Sequence, residues 1–271
     1  IIWIISVVYV AIGTIALWIA GMASGFDADS AILHALIISE SAWSTGGFAP
    51  NLQNLLYYHN IAYEIITIVI MVLGSFNFAL HYAIIKGRKR EFVQNIEVQS
   101  FMASCFVFAS LAVVWLFKSG IYTDALALFR RGVYIVLSAQ TTTGFGTIYA
   151  QQFMLEWGAF GILVLIMAML IGGSSDSTAC GFKGLRVGIV VRGILTDIQR
   201  LFHGENHIKH VKYHHIKNHV LDDAVFRSAS GIILLYILTF SIGTVLGVLS
   251  GYPLAAAAFE AASVTGNVGL S

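Results

Sequence analysis

Charge is what this chain has least of. Asp, Glu, Lys and Arg make up 11% of its 271 residues, against roughly a quarter in a soluble domain. Hydrophobic residues make up 58%, and the mean hydropathy is +0.81. Such a composition excludes a water-soluble domain and reads as an integral membrane protein. The 2 cysteines, Cys105 and Cys180, both fall in apolar sequence, which excludes a disulfide framework and leaves free thiols. The 2 prolines mark helix limits: Pro50 stops a helix and Pro253 suits the first turn of another. No cleavable signal peptide is visible. His-Glu-x-x-His, Cys-x-x-Cys and the glycine fingerprint of nucleotide sites are all missing. A metal-dependent enzyme is therefore unsupported, no cofactor is expected in this chain, and no nucleic-acid partner is expected.

What the chain has is a repeated unit. Thr141-Thr142-Thr143-Gly144-Phe145-Gly146 ends a segment beginning near Asp124. Such a run suits a cation filter: backbone carbonyls replace the hydration shell, threonine adds a hydroxyl, and glycine lets successive carbonyls face one axis. The preceding helix would aim its partly negative C-terminus at the ion. Alone, the same residues also make an ordinary turn. Aligned on Thr-Gly, however, the unit recurs as Ala42-Trp43-Ser44-Thr45-Gly46-Gly47-Phe48 and as Ala262-Ser263-Val264-Thr265-Gly266-Asn267. Each copy follows an apolar run too short to cross a bilayer and, before that, one long enough to do so. The glycines at 46, 144 and 266 set a repeat of roughly a hundred residues, which outranks other signals for fold.

In order, residues 1–23 form a span, Asp29 and Ser30 are expected to cap a half-helix over 31–43, and 61–85 form one continuous second span. The basic run Lys86 to Arg90 marks the cytoplasmic side. A span from Gln99 to Phe117 leads to the half-helix from Asp124. The stretch between Gly146 and His203 is longer than one span needs, and its middle, residues 171–184, is too polar and glycine-rich for a lipid-facing helix. Irregular backbone at that depth must be buried in protein or line water, so this segment is expected in the conduction path. Residues 186–201 then form the lower half of a broken span, and 229–249 the next crossing. In this topology Lys118, Arg130 and Arg131 alone among Lys and Arg fall outside.

These motifs resemble the Trk/Ktr/HKT superfamily of potassium transporters, above all its TrkH-like branch. Ser44 to Phe48 look like the second filter loop, Thr141 to Gly146 like the third and Thr265 to Gly269 like the fourth. The Gly and Ser-Thr run from Gly172 to Lys183 is similar to the family's intramembrane gating loop. The resemblance implies an all-α integral membrane fold with tandem span, pore-helix, filter and span repeats around a pseudo-four-fold pore. It divides the chain into a second repeat (1–85), a cytoplasmic connector (86–98), a third repeat with a broken second span (99–202), a His-rich cytoplasmic connector (203–225) and a truncated fourth repeat (226–271). The first repeat and the last span are missing, so the chain is expected to be part of a longer protein.

The function implied is K⁺ uptake across the cell inner membrane by a multi-pass subunit. Filter residues are Ser44, Thr45 and Gly46, Thr142, Thr143, Gly144 and Phe145, and Val264, Thr265, Gly266 and Asn267. The gating loop comprises Gly172, Gly173, Ser174, Ser175, Asp176, Ser177, Thr178, Gly181 and Lys183. Membrane lipid, a second copy in a homodimer and a cytosolic RCK-type subunit that binds the regulatory nucleotide are the partners implied. Three other readings remain at this stage: a Na⁺-conducting member, the channel-like subunit of a K⁺-pumping ATPase, and an intramembrane hydrolase using Ser174, Ser175 or Ser177 with Asp176 or a histidine.

Asp176 stands where the family has glycine, as does Cys180. It is read either as attracting a cation or binding Lys183, or as a cap for the lower half-helix. Glu40 and Glu260 lie equally far ahead of Gly46 and Gly266 and are read as orienting the filter from behind or, less simply, as raising the cation concentration at its mouth. Arg130 and Arg131 are expected to face away from the axis and pair with acids. His203, His207, His210 and His214 would share one face if their connector were helical. That arrangement suits a metal site or pH sensor, or more simply a hydrated or docking connector.

Overall fold

The computed structural model describes residues 2–203 and 211–270. The first repeat-like unit opens with α1 (Ile2–Ala23), a span that leads through a short loop into α2 (Ala28–Trp43). The cap of α2 is Asp27, whose carboxylate accepts from the Ser30 amide; it is not the Asp29-Ser30 pair expected from the sequence. A 3₁₀ turn (Asn54–Tyr58) leads back to α3 (Ile61–Gly74) and α4 (Phe78–Ile85).

The expected continuous span over 61–85 is corrected here: α3 and α4 are bent by 98°. No proline forces this. Asn77 caps α4 by accepting from the Ala79 amide at 2.7 Å, and the carbonyls exposed at the bend receive hydrogen bonds from a distant segment described below.

The second unit begins with the short α5 (Glu91–Gln94) and then α6 (Ile96–Lys118), capped by Asn95. Its inward half-helix is composite: α7 (Ala125–Ala127), a π-helical turn (Leu128–Val133) and α8 (Tyr134–Gln140). Asp124 accepts from the Ala127 amide to start it. After α9 (Ala150–Glu156), α10 (Gly158–Ile171) enters the membrane, breaks, and resumes as α11 (Gly184–His203). Residues 212–220 form an antiparallel hairpin of β1 (Lys212–His215) and β2 (Lys217–Val220), with Lys212 paired to Val220. The third unit has α12 (Asp223–Leu249) and α13 (Leu254–Thr265), with Pro253 as the cap of α13.

Burial is graded by repeat. In the middle unit Tyr134, Ile135, Val136, Ala139, Phe145, Leu165, Ala168 and Met169 are all buried. The long helix α12 buries little beyond Ala229 and exposes Leu234, Leu235, Leu238, Ile242 and Val245. Such an apolar exterior is what a bilayer solvates.

Candidate functional site

Three half-helices end in the same backbone geometry. α2, α8 and α13 each close with a left-handed residue whose neighbour's amide reaches back to the helix, a Schellman-type termination. The left-handed residues are Thr45 (φ 51°), Thr142 (φ 55°) and Asn267 (φ 52°). The next amides, of Gly46, Thr143 and Val268, donate to the carbonyls of Ser41, Ser138 and Ser263 at 2.8, 2.9 and 2.8 Å. A left-handed glycine follows in every copy: Gly47 (φ 70°), Gly144 (φ 84°) and Gly269 (φ 83°).

This register corrects the alignment on Thr-Gly. The glycine equivalent to Gly144 is Gly47 rather than Gly46 in the first copy, and Gly269 rather than Gly266 in the third. Val264 and Thr265, expected in a filter loop, belong to the last turn of α13, with Val264 77% exposed. Ser44, Thr141 and Gly266 are the equivalent helix-ending residues, and Asn267 matches Thr45 and Thr142. The reason is local: the helix termination holds Thr45 and Thr142, β-branched residues that the left-handed region disfavours, in that conformation beside Asn267 in the third copy, so the letters Thr-Gly point to the glycine although the residue before it can take the αL position. Sequence reasoning placed Gly47, Val268 and Gly269 within the filter loops but did not count them among the ion-binding residues. The doubled glycine at 46–47 and the Asn-Val-Gly run were the available signals.

The glycines bring the loops together. A Cβ on Gly47 would stand 2.0 Å from the Thr143 carbonyl oxygen, and one on Gly144 would stand 1.9 Å from that of Val268. Only hydrogen fits at either place. The middle loop, Thr141 to Phe145, is buried throughout, and the Thr141 and Thr143 hydroxyls are hydrogen-bonded at 2.8 Å.

Beneath these loops lies the break between α10 and α11. Gly172 (φ 70°) and Gly181 (φ 88°) let its two limbs touch; a Cβ on Gly172 would meet the Cys180 carbonyl oxygen at 1.9 Å. The segment is bonded upward to all that surrounds it. The Cys180 amide donates to the Thr142 hydroxyl at 2.8 Å, the Gln140 side-chain amide to the Gly172 carbonyl at 3.0 Å, and the Thr178 hydroxyl reaches the Trp43 carbonyl at 3.0 Å.

The same segment fills the bend between α3 and α4. Thr178 Oγ1 lies 2.8 Å from the Gly74 carbonyl, the Ser174 amide donates to the Ser75 carbonyl at 2.9 Å, and the Phe78 amide donates to the Asp176 carbonyl at 3.2 Å. From α6 the buried Glu97 accepts from the Ser175 amide at 2.7 Å. Glu97 is the main residue here that the sequence did not single out. It follows a capping asparagine in a first turn, where a carboxylate is unremarkable.

Other expectations divide. Arg130 makes a forked pair with Glu64, Nε to Oε1 and Oε2 at 3.1 and 3.0 Å and Nη2 to Oε1 at 2.7 Å. Arg131, expected beside an acid, lies over the Tyr122 ring at 5.4 Å. Asp176 is exposed with φ 51° and does not cap the lower half-helix, which starts at Gly184. Lys183 donates to the Ala179 carbonyl rather than to Asp176. Glu40 and Glu260 are both exposed and, in the corrected register, not equivalent.

The helical reading of the His-rich connector is overturned where it is described. His203 ends α11, His207 and His210 lie outside the described residues, and His214 is in strand β1. Among the described residues no group of His, Cys, Asp and Glu gathers to hold a metal ion. His214 donates from Nε2 to Glu91 at 2.8 Å, with Nδ1 2.8 Å from Asn218 Oδ1. Its hydrogen bonds to Asn218 and then Glu91 raise its pKa above the ordinary imidazole value.

Spans alternating with re-entrant half-helices whose Schellman-ended loops meet, above a broken transmembrane helix, define a multi-pass membrane protein of the pore-loop class. The chain belongs to the TrkH family of cation transport proteins, which matches residues 1–271. That family is one of transporters and not of enzymes. It is 24% identical over 250 residues, 92% of its length, to the Trk system potassium uptake protein TrkH of Escherichia coli K12, and 26% identical over 273 residues to an uncharacterized cation transporter of Methanocaldococcus jannaschii. The chain spans about half the length of these relatives, 48% and 51%. Its fold matches the crystal structure of the potassium transporter TrkH from Vibrio parahaemolyticus with a TM-score of 0.83, at 23% identity, over 99% of this chain and 55% of that one.

Proposed function

We propose that this chain forms most of a K⁺ uptake pathway in the cell inner membrane, with the three Schellman-ended loops as the walls of its selectivity filter. The observation that carries the reading is the shared loop register: a left-handed residue, one with ordinary negative φ and a left-handed glycine in each copy, with neighbouring copies in contact through Gly47 and Gly144. Alternating backbone handedness turns successive carbonyls to one side, as carbonyl coordination of a dehydrated cation requires. Residues 44–47, 141–145 and 266–269 line the path. The half-helix dipoles point their negative ends at it. The E. coli relative, a potassium uptake protein, and the Vibrio parahaemolyticus structure, a potassium transporter, support K⁺ as the cargo.

Residues 172–183 act as the gate. They hang below the filter on hydrogen bonds donated to Thr142 and Trp43 and received from Gln140, and must leave that position for an ion to pass. A further repeat closes the ring, a homodimer is the working unit, and a cytosolic RCK-type subunit that binds nucleotide controls the gate. The membership of the E. coli relative in a named system supports such a partner.

The test is cation flux into proteoliposomes of the full-length native protein, comparing K⁺, Rb⁺, Na⁺ and Li⁺, with Gly144→Ser alongside. The expected result is K⁺ and Rb⁺ flux above Na⁺, with selectivity falling by about tenfold or more in the variant, a loss of about 1.4 kcal/mol of discrimination. Equal flux of all four ions, or a variant like the wild type, would make the loops structural turns. Removing residues 174–177 should raise basal flux; unchanged flux would end the gating reading.

A further inference from the structure

We propose that the buried carboxylate of Glu97 is the shared acceptor through which the cytoplasmic hairpin holds the intramembrane segment in its blocking position, with His215 as the hairpin's contact. The proposal rests on the gating reading above. Glu97 sits in the first turn of α6, 1% exposed, and its two oxygens face different structures. Oε1 accepts from the Ser175 amide of the intramembrane segment at 2.7 Å. Oε2 accepts from His215 Nε2 of strand β1 at 3.1 Å, and Asn77 at the α3–α4 bend reaches it at 3.4 Å.

One carboxylate thus ties the gate segment, the bent span and a strand outside the membrane. A buried carboxylate without partners is costly, so withdrawing His215 leaves Glu97 undersatisfied and free to turn from Ser175. The hairpin is built to move as a unit. Tyr213 is its one strongly buried side chain, packed with Ile96, Ile189 and Ala229, while all of β2 is exposed. Among the described residues its other ties are exchangeable polar ones: His214 to Glu91 and Arg192 to the Lys212 carbonyl. Charged residues near the His215–Glu97 pair include Glu91 on α5, bonded to the adjacent His214, Arg192 on α11, bonded to the Lys212 carbonyl, and Lys217 opposite His215 in the hairpin.

Glu97 and His215 are positioning residues, so flux alone does not separate this role from general loosening. Cys180 supplies a second readout because it lies in the segment, while Cys105 is buried elsewhere. In the full-length protein carrying Cys105→Ser, His215→Ala should raise basal K⁺ flux about threefold or more and speed Cys180 alkylation from the cytoplasmic side by a similar factor. His215→Gln, which keeps a side-chain N–H donor, should restore both. Adding His215→Ala to Glu97→Gln should change neither further, since the two act as one link.

Removing residues 174–177 serves as the reference. If that raises flux while His215→Ala moves neither flux nor alkylation, the hairpin link is refuted and the gate stands. Additive effects of His215 and Glu97 substitutions would also refute the link. A deletion without effect on flux would remove both readings together.

Discussion

Gly46 and Gly47 are neighbours under unequal constraint. Gly46 has no left-handed backbone, and a Cβ there meets side-chain atoms alone, the movable Phe48 ring at 2.8 Å and the Ser44 hydroxyl at 3.3 Å, whereas one on Gly47 meets the fixed Thr143 carbonyl oxygen at 2.0 Å with φ 70°. Gly46→Ala should therefore keep most of its ion selectivity, and Gly47→Ala should lose it as Gly144→Ser does. Selectivity ratios from flux assays decide this, and the reverse order would restore the Thr-Gly alignment. That misalignment marks a limit of legibility. A Thr-Gly pair announces a helix end in letters, but which residue takes the left-handed conformation depends on the hydrogen bonds that close the helix. Arg130 carries a second prediction at this scale. Arg130→Ala strands Glu64, only 3% exposed, and should lower stability by about 2–3 kcal/mol, short of the full buried-pair loss because the arginine is itself partly exposed. Thermal unfolding in detergent measures it, and an unchanged midpoint would mean Glu64 is satisfied otherwise.

At the scale of elements, the half-helices were readable from their caps and short apolar runs, and the break after α10 from its glycines and serines. The bend between α3 and α4 was not, because residues 61–85 are apolar without proline and what stabilises the bend comes from a segment about a hundred residues further on. Thr178→Val removes the hydroxyl shared by the Trp43 and Gly74 carbonyls. It should cost about 1–3 kcal/mol and speed Cys180 alkylation; an unaltered rate would show that the backbone bonds alone hold the segment. The hairpin was equally hidden, since its alternation of His, Lys and Tyr fits either a polar helix or a strand. Its attachment carries a pH sign. His214 has a raised pKa in the fold, so its contribution is fully present below the ordinary value of about 6.5 and is lost as pH rises through the raised one. Hydrogen exchange of hairpin amides, corrected for intrinsic rates, should show stronger protection at acid than at alkaline pH, with the difference gone in His214→Ala.

For the molecule as a whole, the inversion of surface polarity was plain in the composition, and the graded burial was not. Only the middle repeat has neighbours on both sides; α12 shows its apolar face outward and meets α13 through small residues, with a Cβ on Gly247 only 2.8 Å from that of Ala257. The chain should stay in the membrane pellet after alkaline carbonate extraction, and release would contradict its reading as a multi-pass protein. The contacts between loops also have a direction. Gly47 meets the carbonyl of the second copy and Gly144 that of the third, so each joint uses two unlike surfaces, head to tail. Three such units form an arc with two different ends, an exposed Gly269 on one and an exposed Gly46, the counterpart of Thr143 and Val268, on the other. In the proposed pore, whatever completes the circle must offer a glycine to the Gly46 end and a carbonyl to the Gly269 end, so a symmetric pairing of two such arcs through like ends cannot substitute for it.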